Sequence, residues 1–140
     1  MDYTQQRRRH TSPPKRRAPL EVSEQIAIAH DLDGARVDGK PVDWCHVPNE
    51  GSKSQTTAAI LQKSGVKSGI PDVLIFTPPP AFPDHHGAAI EIKRADGKDS
   101  DVSTDQSRWL SRLSAHGWLT GVAFGAAQAR EFLRVAGYIA

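Results

Sequence analysis

The sequence predicts an α/β domain with a mixed central sheet that is covered by helices on both sides. Two neighbouring apolar segments, Val73–Phe76 and Ala88–Lys93, are typical of paired strands. A helical pattern follows over about Thr104 to His116, and Leu119–Phe124 is typical of a further buried strand. A hairpin that leads into a helix and a returning strand predicts a sheet with both antiparallel and parallel pairs. The predicted order of elements is α-β-α-β-β-α-β-α.

Residues 1–18 are predicted to be a disordered basic arm, followed by one folded domain over residues 19–140. The arm is polar, has no periodic apolar face and contains Pro13-Pro14. Its net charge is +5, whereas the rest of the chain has a net charge of −3. The six cations, which would attract nucleic-acid phosphates, are Arg7, Arg8, Arg9, Lys15, Arg16 and Arg17. A passive, soluble leader is the alternative.

The first helix is predicted from Glu21 to about Leu32, with Pro19 suited to a first helical turn. On a helical wheel, the apolar arc consists of Val22, Ile26, Ala29 and Leu32. Glu21 falls within or beside this arc, whereas Glu24 lies further out. The wheel therefore favours Glu21 as the acidic residue of this helix that faces the body of the protein.

One strand and one short helix are predicted between the first helix and the central hairpin. The strand covers Val42–Val47 and ends at the turn cluster Pro48–Gly51. Ser52 and Gln55 have the spacing of a capping box for a helix that runs to about Lys63.

The second half of the chain supplies the remaining connections. Residues 77–87, which join the two central strands, contain too many prolines for ladder positions and are predicted to be an exposed loop. The helix over about Thr104 to His116 has Gly117 as its expected C-terminal cap. Ala126–Val135 is predicted to be a closing helix.

Asp72, Glu91 and Lys93 are the most informative residues for function. Side chains alternate between the two faces of a strand, so Glu91 and Lys93 point the same way. If the two central strands pair, Asp72, which follows Pro71, lies beside them at one end of the sheet. Two carboxylates bind a hard divalent cation, and an adjacent ammonium orients water and offsets phosphate charge. This pattern indicates a metal-dependent nuclease; the structural alternatives are a strand-entry aspartate and a solvated strand-end lysine.

The order of short segments around these three residues is also characteristic. The segments are Ser64–Asp72, Glu91–Lys93, Gln106–Leu110, Leu113, Gly117 and Gly121–Ala123. This ordered series resembles the VRR-NUC family, a branch of the PD-(D/E)xK nuclease superfamily. The resemblance covers roughly residues 21–133. It implies a restriction-endonuclease-like fold, in which a mixed central sheet is flanked by helices.

The resemblance also implies roles for the residues of the central hairpin. Asp72, Glu91 and the backbone carbonyl of Ile92 are expected to bind Mg²⁺ or Mn²⁺. Lys93 is expected to orient or activate water and to offset charge in the transition state.

Two further residues complete the site that the resemblance implies. Gln106 is expected to help position water and phosphate, although Ser103 and Gln106 also have capping-box spacing. Glu21 is expected to supply an additional acid from the first helix, because the family has a glutamate one turn before a glutamine, here Gln25. Glu24 is the alternative acid.

Residues outside this cluster are less informative. Asn49 lies in a segment that resembles a family segment near the substrate entrance, and an Asx-turn residue is the alternative. His85 and His86 lie on the proline-rich loop without further ligands at metal spacing, so solvated histidines are expected there.

The function implied is hydrolysis of phosphodiester bonds in DNA. Small relatives in the family include structure-specific, junction-cleaving nucleases that act as homodimers. A non-catalytic nucleic-acid-binding protein with a nuclease-like fold is the alternative, and the sequence does not separate DNA from RNA. No segment approaches the roughly 20 apolar residues that span a bilayer, and the lone Cys45 cannot form an intrachain disulfide. A soluble intracellular protein is therefore expected.

Overall fold

The computed structural model describes residues 21–48 and 54–140, and of Glu21 the backbone alone. The basic arm, the predicted contact residue Asn49 and the predicted capping residue Ser52 lie outside the described residues. The helices are α1 (Glu21–Gly34), α2 (Gln55–Lys63), α3 (Thr104–Ala115) and α4 (Ala126–Ala136). The strands are β1 (Arg36–Val37), β2 (Lys40–Pro41), β3 (Trp44–His46), β4 (Val73–Ile75), β5 (Ala88–Lys93) and β6 (Leu119–Phe124).

The central sheet has four strands in the order β3-β4-β5-β6. β4 pairs antiparallel with both β3 and β5, and Val73 lies opposite Ile90. β5 and β6 are parallel, with Glu91 opposite Val122. The predicted mixed sheet flanked by helices is therefore confirmed. The bounds of β5 and β6 agree with the sequence-based prediction, because both strands are mostly apolar; β5 lies between β4 and β6, and β6 is an edge strand.

The hydrophobic core lies on one face of this sheet, under α1 and α4. Ile90 and Ile92 of β5 are buried together with Ile28 of α1 and Leu133 of α4. The intervening residue of β5, Glu91, points to the opposite face, which α3 covers. The two faces of β5 thus have different tasks: one packs the core and the other carries polar groups.

The predicted apolar arc of α1 is wrong in the first half of the helix and right at Leu32, which is buried in the core. Val22 and Ile26, placed in the apolar arc, are 58% and 65% exposed, whereas Glu24 is only 7% exposed. The Glu24 carboxylate accepts a hydrogen bond from the backbone N–H of Ala126 in the first turn of α4. Gly125 supplies no side-chain cap to that helix, so the buried carboxylate takes over this task. A charged residue is stable on the buried face because its partner is a helix N-terminus.

The region between α1 and the sheet also differs from the prediction. The strand expected over Val42–Val47 is shortened to β3, and Val42, which is buried, lies before it in the connection from β2. β1 and β2 form a short hairpin that was not predicted; its turn is Asp38-Gly39, both with positive φ. Phe76 lies outside β4, although its N–H donates to the carbonyl of Asp43, the residue opposite it in the β3–β4 register. The N–H of Asp43 donates to the hydroxyl of Thr77 and not to Phe76.

The helix ends differ from the predicted ends by one or two residues, apart from the start of α2. That helix begins after Ser54, whose hydroxyl accepts from the N–H of Thr57. α1 continues to Gly34, and Asp31 in its last turn is paired with Arg130 of α4, with 2.6 Å between Oδ2 and Nε. An additional 3₁₀ turn at Asp99–Asp101 precedes α3.

Candidate active site

Asp72 is held at the point where β4 begins. Pro71 precedes it and has no N–H, so the chain cannot continue the regular ladder to β5 at this residue. Instead, Oδ2 of Asp72 accepts a hydrogen bond of 2.7 Å from the backbone N–H of Ile92. The Pro-Asp sequence thus replaces a main-chain bond by a side-chain bond, and it brings the carboxylate next to the end of β5.

Glu91 is the most buried charged residue near this point, with 2% of its surface exposed. Its Oε1 accepts from Nε2 of Gln106 at 2.8 Å and lies 3.5 Å from Nζ of Lys93. Its Oε2 is buried and has no hydrogen-bond partner among the described residues. A buried carboxylate oxygen without a partner is costly, and it points to a missing ligand.

The electrostatic environment of Glu91 is unfavourable for a free carboxylate. Burial and the negative charge of Asp72 raise the pKa of Glu91 to about 8. Lys93 opposes this shift but does not cancel it. Glu91 therefore favours its protonated form at neutral pH, and a cation bound beside it would favour the carboxylate.

Gln106 is oriented by its own helix. At the start of α3, its N–H donates to the hydroxyl of Ser103, and its Oε1 accepts from the N–H of Ser103 at 2.8 Å. Because the amide oxygen is used in this capping box, the amide NH₂ must face Glu91. The predicted capping box is therefore present, and the same side chain also contacts Glu91.

The loop before Pro71 is packed tightly against this helix start. A Cβ atom at Gly69 would lie 2.6–2.7 Å from atoms of Asp105 and Gln106, and Gly69 has φ +85°. Only glycine fits at this approach. The backbone that leads to Asp72 and the helix that carries Gln106 are thereby fixed relative to each other.

The donor set fits a hard divalent cation. Oε2 of Glu91 and Oδ1 of Asp72 are carboxylate oxygens not used by the hydrogen bonds described above. Continuing the register of β4 and β5 places Pro71 opposite Ile92, and Pro71 cannot donate to the Ile92 carbonyl. Residues 21–48 and 54–140 contain no group of three or more His, Cys, Asp or Glu side chains that could hold a metal ion. A cation here would therefore have two carboxylates, a backbone carbonyl and water as ligands.

An open cleft adjoins this cluster on the side of Lys93. It has a volume of about 420 Å³ and is lined by Lys93, Arg94, Asp96, Gly97 and Asp101. Arg94 donates two hydrogen bonds to the Asp96 carboxylate, from Nε to Oδ1 and from Nη2 to Oδ2, both at 3.1 Å. The ammonium of Lys93, whose side chain is 11% exposed, thus has access to solvent through this cleft.

The structure brings Asp72, Glu91, Lys93 and Gln106 together. The role of Glu21 is untested, because its side chain is outside the described part of the molecule. His85 lies apart from this cluster, in edge-to-face contact with Phe82. Sequence reasoning did not identify His46, whose Nδ1 lies 2.9 Å from the carbonyl oxygen of Asp72. A bond to a backbone atom leaves no pattern in the sequence, so no signal was available for it.

The cluster and its sheet define a nuclease-like domain of the PD-(D/E)xK type. A family profile described as the VRR-NUC domain matches residues 23–130. The chain belongs to the VRR-NUC family.

A solved structure described as a VRR_NUC domain protein has the same fold. Its TM-score is 0.70, with 24% sequence identity over 88% of this chain and 90% of that chain. At this identity, the similarity is evidence for the fold alone. No match was found among curated protein sequences. None of the helices in the described ranges is both long enough and apolar enough to span a membrane.

Proposed function

We propose that this protein is a Mg²⁺- or Mn²⁺-dependent nuclease that hydrolyses phosphodiester bonds in DNA. One observation carries the proposal: Oε2 of Glu91 is buried without a partner next to Asp72, and Lys93 lies on the same side. A buried carboxylate with a pKa raised to about 8, beside a second carboxylate and a lysine, is typical of a functional site. Membership of the VRR-NUC family supports a nucleic-acid substrate.

Asp72, Glu91 and the Ile92 carbonyl would hold the cation. When bound, it supplies Lewis-acid activation of a phosphate oxygen and lowers the pKa of a water molecule. Gln106 keeps Oε1 of Glu91 occupied by a hydrogen bond of 2.8 Å, which leaves Oε2 for the cation. The amide thereby fixes the rotation of the carboxylate.

Lys93 is proposed to act on water and phosphate. Its Nζ is 3.5 Å from Oε1 of Glu91, a distance at which the two charges attract but the ammonium keeps donors for other groups. These donors would orient the attacking water and reduce the negative charge that accumulates on phosphate in the transition state. The adjacent cleft gives substrate access to this side chain.

Two finer parts of the proposal concern substrate and acid. We propose structured DNA, such as a junction or a flap, as the substrate of a homodimer; the family supports a nucleic-acid substrate without specifying it. Glu21 remains the acid of α1 proposed to support the site. Since α1 turns Glu24 towards the body of the protein, the variants Glu21→Gln and Glu24→Gln belong in the same activity assay.

The test is cleavage of labelled duplex, flap, bubble and four-way junction DNA with Mg²⁺, Mn²⁺ or EDTA. The wild-type protein should cleave only with metal, and Asp72→Asn, Glu91→Gln and Lys93→Ala should each lose at least about 100-fold in rate. Lys98→Ala changes an exposed lysine of the following loop and should retain activity. Circular dichroism must show that all four variants are folded.

Cleavage by the wild-type protein in EDTA, or full activity of Glu91→Gln, would contradict the proposal. Binding of DNA without cleavage under any metal condition would support the non-catalytic alternative.

A further inference from the structure

Asp72 lies just before β4 and is held from two sides, by β5 and by the end of β3. Its side chain accepts from the N–H of Ile92 at 2.7 Å, which ties it to β5. Its backbone carbonyl accepts from the N–H of Val47 at 2.8 Å, at the end of β3. The same carbonyl lies 2.9 Å from Nδ1 of His46, the last residue of β3. Three hydrogen bonds thus fix Asp72, although the preceding residue, Pro71, has no N–H to donate.

The chemistry of this contact fixes the tautomer of the His46 ring. A carbonyl oxygen can only accept, so Nδ1 of His46 must carry the hydrogen. This holds for the neutral and for the charged ring, and the contact does not depend on which of the two is present.

The register shows that His46 acts from the opposite side of the sheet. His46 lies opposite Val73, so both side chains point to the core face. Asp72 precedes Val73 by one residue, so its carboxylate points to the other face, where Glu91 and Gln106 lie. His46 therefore contacts only the backbone carbonyl of Asp72, and its side chain does not line the cluster of Asp72, Glu91 and Gln106.

We infer that His46 is a positioning residue for the proposed metal site, and this inference rests on the proposed function. By holding the Asp72 carbonyl, His46 fixes the peptide from which the Asp72 carboxylate projects, and so the distance between the two carboxylates. The bond is exposed and contributes little to folding stability. The bond instead orients Asp72, and interactions that orient a metal ligand typically change metal affinity by about 10- to 100-fold.

Three substitutions of His46 separate this role from others. In His46→Asn, the amide NH₂ takes the place of Nδ1 and can still donate to the Asp72 carbonyl. In His46→Gln, the amide nitrogen takes the place of Nε2, one bond further away. His46→Leu has no donor. His30→Leu is the control, because the His30 side chain is 90% exposed on α1.

The measurements are Mn²⁺ affinity by calorimetry without DNA, and kcat and KM for cleavage. We expect His46→Leu and His46→Gln to bind Mn²⁺ about tenfold more weakly, with unchanged KM for DNA at saturating metal. His46→Asn and His30→Leu should resemble the wild type. Melting temperatures identify any variant whose loss reflects unfolding, and the Gln and Asn variants differ only in where the donor lies.

Three results would overturn the inference. Equal loss of Mn²⁺ affinity in the Asn and Leu variants would show that the Nδ1 donor is irrelevant. A higher KM for DNA with normal Mn²⁺ affinity would make His46 a substrate contact. Unchanged Mn²⁺ affinity in His46→Leu would remove any role in the metal site. If the wild type binds Mn²⁺ but cleaves no DNA, the proposed function fails while the inference on Asp72 is still decided by the affinities.

Discussion

The surroundings of Glu91 would favour a cation bound to its side chain. One carboxylate oxygen is committed to Gln106 and Lys93, and the other is buried without a partner among the described residues. Burial and the neighbouring Asp72 raise the pKa of Glu91 to about 8. The folded protein therefore stores an unfavourable interaction at neutral pH, which a bound cation would relieve.

This environment predicts how folding stability depends on pH without metal. The pKa of Glu91 is about 8 in the folded protein, against an ordinary value of 4.5, so between these values the native state binds a proton that the unfolded chain has lost. The free energy of unfolding should therefore fall as pH rises from about 4.5 to about 8. Glu91→Gln should lack this component.

The measurement is urea unfolding in EDTA at several pH values. The difference in unfolding free energy between the wild type and Glu91→Gln should decrease steadily across this range. Saturating Mg²⁺ should reduce the decrease, because a bound cation replaces the proton. Parallel curves for the two proteins would mean that Glu91 titrates normally.

At the scale of elements, the sequence predicted those parts whose burial is visible as an apolar run or a cap. β5 and β6 have the predicted bounds, and the Ser103–Gln106 capping box is present at α3. The orientation of α1 was mispredicted because its buried face includes Glu24, which is stabilised by a partner about 100 residues away in sequence. Apolarity alone cannot locate a face that contains a charge.

The same limit applies to the site. Asp72, Glu91 and Lys93 were predictable because strand alternation and a Pro-Asp dipeptide dictate where their side chains lie. His46 was not, since its contact depends on the pairing of β3 with β4 and ends on a backbone atom. The β1–β2 hairpin was missed although its Asp-Gly turn was in the sequence, because two-residue strands give no periodic signal.

At the scale of the whole molecule, the start of α1 and the C-terminal residues lie near opposite ends of the strands of the sheet. Near the start of α1, Glu24 contacts Ala126, which follows the end of β6 at the edge that carries Lys93. Near the end of the chain, the Tyr138 hydroxyl donates to the carbonyl of Thr77, beyond the end of β4. The described part of the chain therefore begins at the end of the sheet that carries the proposed active site.

Position should then matter for the proposed contribution of the arm to DNA binding. Deleting residues 1–18 should weaken binding and reduce the slope of log affinity against log salt by roughly 0.9 for each cation that contacts phosphate. The cleavage rate at saturating DNA should change little, since all proposed metal ligands lie outside residues 1–18. Grafting residues 1–18 after Ala140 is the matched control, because it places the same charge near the opposite end of the strands.

The graft should restore less of the affinity than the native arm. Salt titrations of DNA binding for the three proteins measure this difference. Equal binding by the graft and the native protein would show that only net charge counts, and unchanged binding after deletion would make the arm a passive leader.

Direct Mn²⁺ binding tests the central claim most directly, because it separates the proposed ligands from the proposed lysine. Calorimetry on the wild type, Glu91→Gln and Lys93→Ala should detect one bound ion in the wild type and in Lys93→Ala. Glu91→Gln should lose at least about tenfold in affinity, since the amide replaces a charged ligand. Equal Mn²⁺ affinity in the wild type and Glu91→Gln, or no binding by the wild type, would contradict the assignment of the metal site to Asp72 and Glu91.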